Sequence, residues 1–382
     1  MNPATAPTVF PLSILCLSDS WGGLELNTAR FAGWMQQRGW PVQLITRAGS
    51  PLALRAQEMS LRLVALENRW KALDVAAARR LALGWAQFGT RAVIVTRNAD
   101  LGVAVLSKGL FRPDMPLVYQ QHMQLGLNKR GLVHTLRYNA LAAWLSPLPS
   151  LARQVLEKTR LAPEKLHVVP LGVELDKFMD EQLTTLEARR QLRLELPAGV
   201  VLLGLIGRFD DGKGQDFLVE ALAQLRPRFA QLHLLLVGEP TRNEGTNYYD
   251  TLLRRIQELG LTDVVHLRGF TPRPEVAYRA LDISVTASTN ETYGMVTIEA
   301  MAAGRPVVGA ATGGTRELLA DNRTGLLFEL RNVASFAVCV ERLLTQPGLA
   351  ARLGAAGQAE ALATYAHTRQ CELTEQVLWQ LG

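Results

Sequence analysis

The sequence predicts an α/β protein built from two doubly wound domains, each a parallel sheet with helices on both faces. Three observations lead there. Short apolar runs alternate with helix-like segments along the whole chain. Those runs are nearly continuous, as expected of strands buried on both faces. The rhythm falters near residues 175–196, where "DKFMDEQLTTLEARRQLRLELPAG" (176–199) is charged and only patchily apolar, and then restarts. At 382 residues the chain exceeds one ordinary core, so domains of 1–180 and 181–364 are expected.

In the first half, "LSILCLS" (12–18) is the opening strand. "LELNTARFAGWMQQRG" (24–39) sets Leu24, Thr28, Phe31, Met35 and Arg38 at helical spacing, with Gly39 as its stop. Strands follow at "WPVQLIT" (40–46), "RAVIVTR" (91–97), "MPLVYQQH" (115–122) and "KLHVVPLGV" (165–173). The second half opens with the strand "GVVLLGLIG" (199–207) and the amphipathic helix "GQDFLVEALAQL" (214–225). Its further strands are "LHLLLVG" (232–238), "VVHLRG" (264–269), "DISVTAS" (282–288) and "RPVVGAA" (305–311). Sheets of this kind bind ligands just beyond the carboxyl ends of their strands, so site residues are sought there.

Composition narrows the class. The chain is 48% hydrophobic and 20% charged, which fits a soluble globular enzyme and not a fibrous or disordered chain. Cys16, Cys339 and Cys371 are scattered and odd in number, so a reducing, cytoplasmic setting is expected. No basic segment precedes the first apolar run, and no uncharged run approaches the roughly 18 residues of a spanning helix. Formal charge is +9 over residues 1–180 and −3 beyond. A basic first half suits an anionic partner such as a phosphorylated acceptor or an acidic membrane, or is simply a solvated face. No nucleic-acid reading element accompanies it. In "LGLNKRGLVHTLRYNALAAWLS" (125–146), Lys129, Arg130 and Arg137 are mixed with Leu132, Leu136, Ala140 and Trp144. That is the pattern of peripheral contact with an anionic membrane or of ordinary helix packing.

Two stretches carry chemistry. "GRFDDGKGQ" (207–215) nearly matches an ATP-binding loop, but Gly214 stands where a magnesium-binding Ser or Thr belongs. Arg208 and Lys213 still lie on a turn between strand and helix, placed to neutralise a diphosphate or standing as ordinary charges of a surface turn. In "STNETYGMVTIEAMAAG" (288–304), Glu291 precedes a helix whose first N–H groups can hold phosphate oxygens. Glu299, expected about two turns in, is placed to accept bonds from ribose hydroxyls; taken alone, the two glutamates read equally as solvated charges near a helix end.

Glu291 and Glu299, followed by "EAMAAGRPVV", "GGTRELL" and "TGLLF", strongly resemble the nucleotide-sugar site of family 4 glycosyltransferases. "GRFDDGKG", "HVVPLGVELDKF" and the glycine-rich "SDSWGGLE" match further segments of that family in order and spacing, from about residue 12 to the end. The resemblance implies a GT-B fold: two Rossmann-like domains facing across a cleft that closes on the donor. The first would bind acceptor and be joined by a final helix at about 365–382. The second would bind the nucleotide sugar.

The implied reaction is retaining transfer of a sugar, hexosyl in type, from a UDP-, GDP- or ADP-sugar to a glycan or lipid-linked acceptor. Cell-envelope, exopolysaccharide or lipopolysaccharide synthesis is the setting it suggests, on the inner face of the plasma membrane. Arg208, Lys213, Gly22, Gly23 and the backbone of Tyr293, Gly294 and Met295 would bind the diphosphate. Glu25 would sit beside the two glycines. Glu299 would hold the ribose, Glu291 and His122 the reacting sugar, and Arg268, Gly269 and Phe270 the base. No cofactor or metal is implied; "FDDG" (Asp210, Asp211) is the nearest acidic pair. An epimerase of the same fold, or a non-catalytic nucleotide-sugar binder, is the alternative. An epimerase needs extra acid–base carboxylates, and a lost Glu291, Arg208 or Lys213 would mark the binder.

Overall fold

Parallel strands need long crossovers, and the alternating pattern of the chain supplies one helix for nearly every strand. The structure, a computed structural model, describes residues 8–68, 74–180, 182–240 and 247–381. Residues 1–7, with which the sequence opens, lie outside the described residues.

The chain forms two compact units, Met1–Gly172 with His367–Gly382, and Val173–Ala366. In order, the first contains β1 (Leu12–Leu15), α1 (Gly23–Gln37), β2 (Val42–Thr46), α2 (Pro51–Glu58), β3 (Arg62–Ala65), α3 (Val75–Phe88) and β4 (Ala92–Val95). It continues through α4 (Leu101–Phe111), β5 (Leu117–Gln120), α5 (Leu132–Asn139), β6 (Ala143–Ser146), α6 (Pro149–Lys158) and β7 (Leu166–Val168). Its seven strands are parallel in the order β3-β2-β1-β4-β5-β6-β7. Along β1 and just beyond it, Leu12 and Ile14 pack on one face and Leu15 and Leu17 on the other, so both faces carry core. Local chemistry sets helix ends. Ser50 and Asp74 accept the Ala53 and Ala77 N–H groups at the starts of α2 and α3, and Gly89 closes α3 at φ +68°.

The second unit holds α7 (Thr185–Gln191), β8 (Val201–Ile206), α8 (Gln215–Leu225), β9 (Leu232–Val237), α9 (Asn247–Glu258), β10 (Val265–Arg268) and α10 (Pro274–Ala280). Then come β11 (Ile283–Thr286), α11 (Met295–Ala302), β12 (Val307–Ala310), α12 (Gly313–Leu318), β13 (Leu326–Phe328), α13 (Val333–Thr345) and α14 (Leu349–Thr364). Its six parallel strands run β10-β9-β8-β11-β12-β13. Stacked Phe217 and Phe328, with Phe336 edge-on to both, fasten α8 and α13 to the sheet.

Three differences from the sequence reading have physical causes. The first unit ends at Gly172 and not at 180, because the turn Leu175–Phe178 sets Phe178 against Tyr278 of the second unit. The charged stretch 175–196 is not a bare linker, since α7 lies within it and Arg189 pairs with Asp282 at 2.7 Å. Trp144, grouped in sequence with Leu132, Leu136 and Ala140, does not share their helix: it belongs to β6 and is fully buried. The last helix, α15 (His367–Leu381), packs on α1 of the first unit. There the buried Glu375 takes Arg38 at 2.7 Å and the Trp40 indole N–H at 2.9 Å.

Candidate functional site

In each sheet the direction of strand addition reverses once, between β1 and β4 in the first and between β8 and β11 in the second. At such a switch point adjacent loops part and leave room for a ligand beyond the carboxyl ends.

In the second unit the loop after β8, residues 207–214, is folded tightly. Gln215 Nε2 donates to the Arg208 carbonyl at 2.7 Å, and the Lys213 N–H to the Asp210 carbonyl at 3.1 Å. Gly214 has φ +89°, and a Cβ there would fall 2.5 Å from the Ala287 carbonyl oxygen. The loop therefore presses on the segment after β11, and the Thr289 N–H donates to the Gly212 carbonyl at 2.8 Å. Gly214 is glycine for conformation and packing.

This packing brings Lys213 Nζ to 3.0 Å from Glu291 Oε2, with both side chains mostly shielded from solvent. Glu291 is held from behind: its carbonyl accepts the Gly314 N–H at 2.7 Å. A Cβ on Gly313 would come within 2.3 Å of that carbonyl oxygen, and one on Gly314 within 2.1 Å of the Tyr293 carbonyl oxygen. The Thr312 hydroxyl donates to the Ser288 carbonyl at 2.9 Å. Three loops, after β8, β11 and β12, thus lock around one ion pair. Arg208, by contrast, is exposed, with the Asp210 carboxylate 3.7 Å away.

The helix α11 starts at Met295, capped by Gly294 at φ +100°, two residues later than Tyr293. Glu299 is therefore only about one turn in. The hydroxyl of buried Tyr278 lies 3.2 Å from Glu299 Oε2 and 3.0 Å from the Val296 carbonyl. Burial first, and then the Glu299 charge, push the Tyr278 phenol well above its usual range, so it stays protonated and fixes that carboxylate. Arg268 departs from expectation for its side chain. Its guanidinium donates to the Leu192 and Arg193 carbonyls at 2.6 and 2.7 Å and fastens the chain after α7. Gly269 and Phe270 are exposed.

In the first unit, Leu17 is the last residue before the glycine-rich loop and is gripped on both polar groups. Its N–H donates to Asp100 Oδ2 at 2.7 Å, and its carbonyl accepts from the Arg97 guanidinium. Burial pushes the Asp100 carboxyl up to about 6. Further along, Glu25 accepts from the Ser18 hydroxyl at 2.6 Å and from the Gly22 N–H at 2.9 Å. Glu25 is a buried brace for the loop. Gly22 and Gly23 are exposed, and a Cβ on Gly23 would meet nothing within 4 Å. Neither glycine is demanded by the protein's own packing.

His122 follows β5, is buried, and has no hydrogen-bond partner on either ring nitrogen among the described residues. Burial holds its pKa down to about 4, so the imidazole is neutral at pH 7. Sequence reasoning missed Arg97 and Asp100; the only signal was their position directly after a strand, in "TRNAD". Among the described residues no group of three or more His, Cys, Asp or Glu could hold a metal ion.

Two Rossmann-type units with polar loops at their switch points make up the GT-B fold. A glycosyltransferase of Rickettsia africae has this fold, with a TM-score of 0.87 at 19% identity over 98% of each chain. So does Anabaena HepE, solved in complex with UDP and glucose, with a TM-score of 0.80 at 21% identity over 96% of this chain and 98% of that one. The chain carries a domain of each of two glycosyltransferase families: residues 190–360 match the family "Glycosyl transferases group 1" and residues 21–177 "Glycosyltransferase Family 4". Among its curated relatives is the D-inositol 3-phosphate glycosyltransferase of Frankia alni, 37% identical over 205 residues, 52% of this chain and 49% of that protein. The protein of that name from Stackebrandtia nassauensis is 37% identical over 224 residues, 57% of this chain and 49% of its own. The chain thus spans about half the length of the curated relatives it matches.

Proposed function

We propose that the protein transfers a sugar, with retention of configuration, from a nucleoside-diphosphate sugar to an acceptor hydroxyl. The observation that carries this reading is the Lys213–Glu291 pair, locked by three glycine-bearing loops at the switch point of the second sheet. Before the donor arrives, each charge of the pair compensates the other. A bound diphosphate takes over the Lys213 ammonium and frees the Glu291 carboxylate for the sugar hydroxyls. Arg208, already exposed, and the backbone N–H groups of Tyr293, Gly294 and Met295, which lead into α11, add positive potential where the leaving phosphate gathers charge. Glu299, steadied by Tyr278, binds the ribose. The backbone of residues 268–270 lies against the base.

In the first unit, Gly22 and Gly23 admit the phosphates, on a loop held by Asp100, Arg97 and Glu25. His122 is neutral near pH 7, so it serves as a hydrogen-bond partner of the sugar and not as a cationic acid. The departing phosphate oxygen accepts the acceptor proton on the same face.

The acceptor is proposed to be a glycan or a lipid-linked molecule at the inner face of the plasma membrane. A second reading, favoured by the names of the curated relatives and the basic first half, is a small phosphorylated cyclitol. A thermal-shift screen with UDP-, GDP- and ADP-sugars tests the donor, beginning with the uridine nucleotides carried by the Anabaena neighbour. A shift with one donor that disappears in Lys213→Ala supports the reading. No shift with any of them would overturn it.

A further inference from the structure

The face built by residues 123–137 is unusual in two respects at once. Met123, Leu127, Leu132, Val133 and Leu136 are each 63–76% exposed, five large apolar side chains within fourteen residues. The helix α5 is turned so that Tyr138 packs inward, fully buried and stacked on His134, while its leucines and valine point to solvent. Ordinary helix packing does not account for this stripe, because among the described residues it stays largely exposed.

The same region is strongly basic. Between residues 108 and 165 there are nine Lys and Arg against three Asp and Glu, a surplus equal to the +6 of the whole chain. Lys129 and Arg137 flank the exposed apolar side chains along the chain, and neither ranks among the buried residues.

We propose that this face docks on an anionic lipid bilayer, its apolar side chains entering the headgroup boundary and its cations meeting lipid phosphates. The charge decides between occupants. A second copy would bring two like-charged faces together. A nucleic acid would satisfy the charge and leave the apolar side chains in water. Only an anionic bilayer satisfies both. Met123 follows His122 directly, at the carboxyl edge of the first sheet, just beyond the interior strand β5. A docked molecule would hold that edge near the membrane. The proposal deepens the lipid-linked acceptor reading but can be tested without it, since the readout needs neither donor nor turnover.

The test is cosedimentation with vesicles of phosphatidylcholine, alone or with about 30% phosphatidylglycerol. The protein should bind the anionic vesicles at about 50 mM salt, not the neutral ones, and release at about 500 mM. Leu132→Ser with Leu136→Ser should lower the bound fraction by about tenfold or more. Lys129→Glu with Arg137→Glu should remove the preference for anionic lipid. Thermal melting of each variant reports on its fold. All three native cysteines are buried, so Leu132→Cys can carry a single polarity-sensitive dye. Its emission should shift to the blue on adding anionic vesicles, which reads the contact even where a double variant folds poorly. The proposal falls if wild type does not bind anionic vesicles at low salt, or if the dye does not respond. It falls equally if folded variants bind like wild type, or if the face instead drives self-association that the leucine changes abolish.

Discussion

Gly214 is fixed by two independent demands, a left-handed φ and the approach of the Ala287 carbonyl, so no other residue fits without displacing the loop. Gly214→Ala is expected to cost about 2–3 kcal/mol, seen as a melting temperature lower by about 5–10 °C. Gly23→Ala is the useful contrast. Nothing lies within 4 Å of the added Cβ, so stability should stay within about 1 kcal/mol of wild type. Donor affinity, measured by calorimetry, should fall nonetheless if phosphate approaches that backbone. Lys213→Ala should weaken donor binding by about 10–100-fold, the worth of one charge-assisted hydrogen bond. Glu291→Gln keeps the shape of the side chain but removes its hold on the Lys213 charge. It should bind free nucleoside diphosphate at least as well as wild type while losing turnover, a split that kcat and product affinity would show together.

Among the elements, β9 and β10 are joined by an unusual side-chain contact. His233 Nδ1 and His266 Nε2 are 3.0 Å apart on stacked rings, so one ring must donate while the other accepts. Burial lowers both pKa values, that of His266 to about 4, and the nearby charges of Arg226 and Arg268 lower them further. The unfolded chain therefore binds more protons between about pH 4 and 6.5, and stability contributed by the pair is lost as pH falls through that window. Melting temperature should drop by several degrees from pH 6.5 to 4, and His266→Asn should flatten that slope. The same strands show how much was legible in sequence. β8, β9, β11 and β12 stood out as continuous apolar runs because both their faces are covered. β3 did not, since it is an edge strand with exposed ends, and β13 is only three residues long. Lys213, Glu291 and Glu299 were legible because they follow strands in a recognisable order. Asp100 was not: its carboxylate is buried only once β1 and β4, far apart in sequence, become neighbours.

For the whole molecule, the last helix determines what the first unit keeps. Glu375 is 4% exposed, and its removal orphans the indole N–H of Trp40 and releases Arg38 to water. Glu375→Ala should cost about 2 kcal/mol, read as an earlier urea transition of the first unit. The chain leaves the first unit after Gly172 and re-enters it at His367, and the two passages run side by side. A Cβ on Gly172 would touch His367, while the Val173 N–H donates to the Tyr365 carbonyl at 2.9 Å. Topologically, the second unit is a single uninterrupted insert whose two ends are neighbours. Such an insert behaves as a cassette. It is open to exchange for the equivalent stretch of a relative in one splice, and on the proposed reading the Lys213–Glu291 site would travel with it while the first unit stays unchanged.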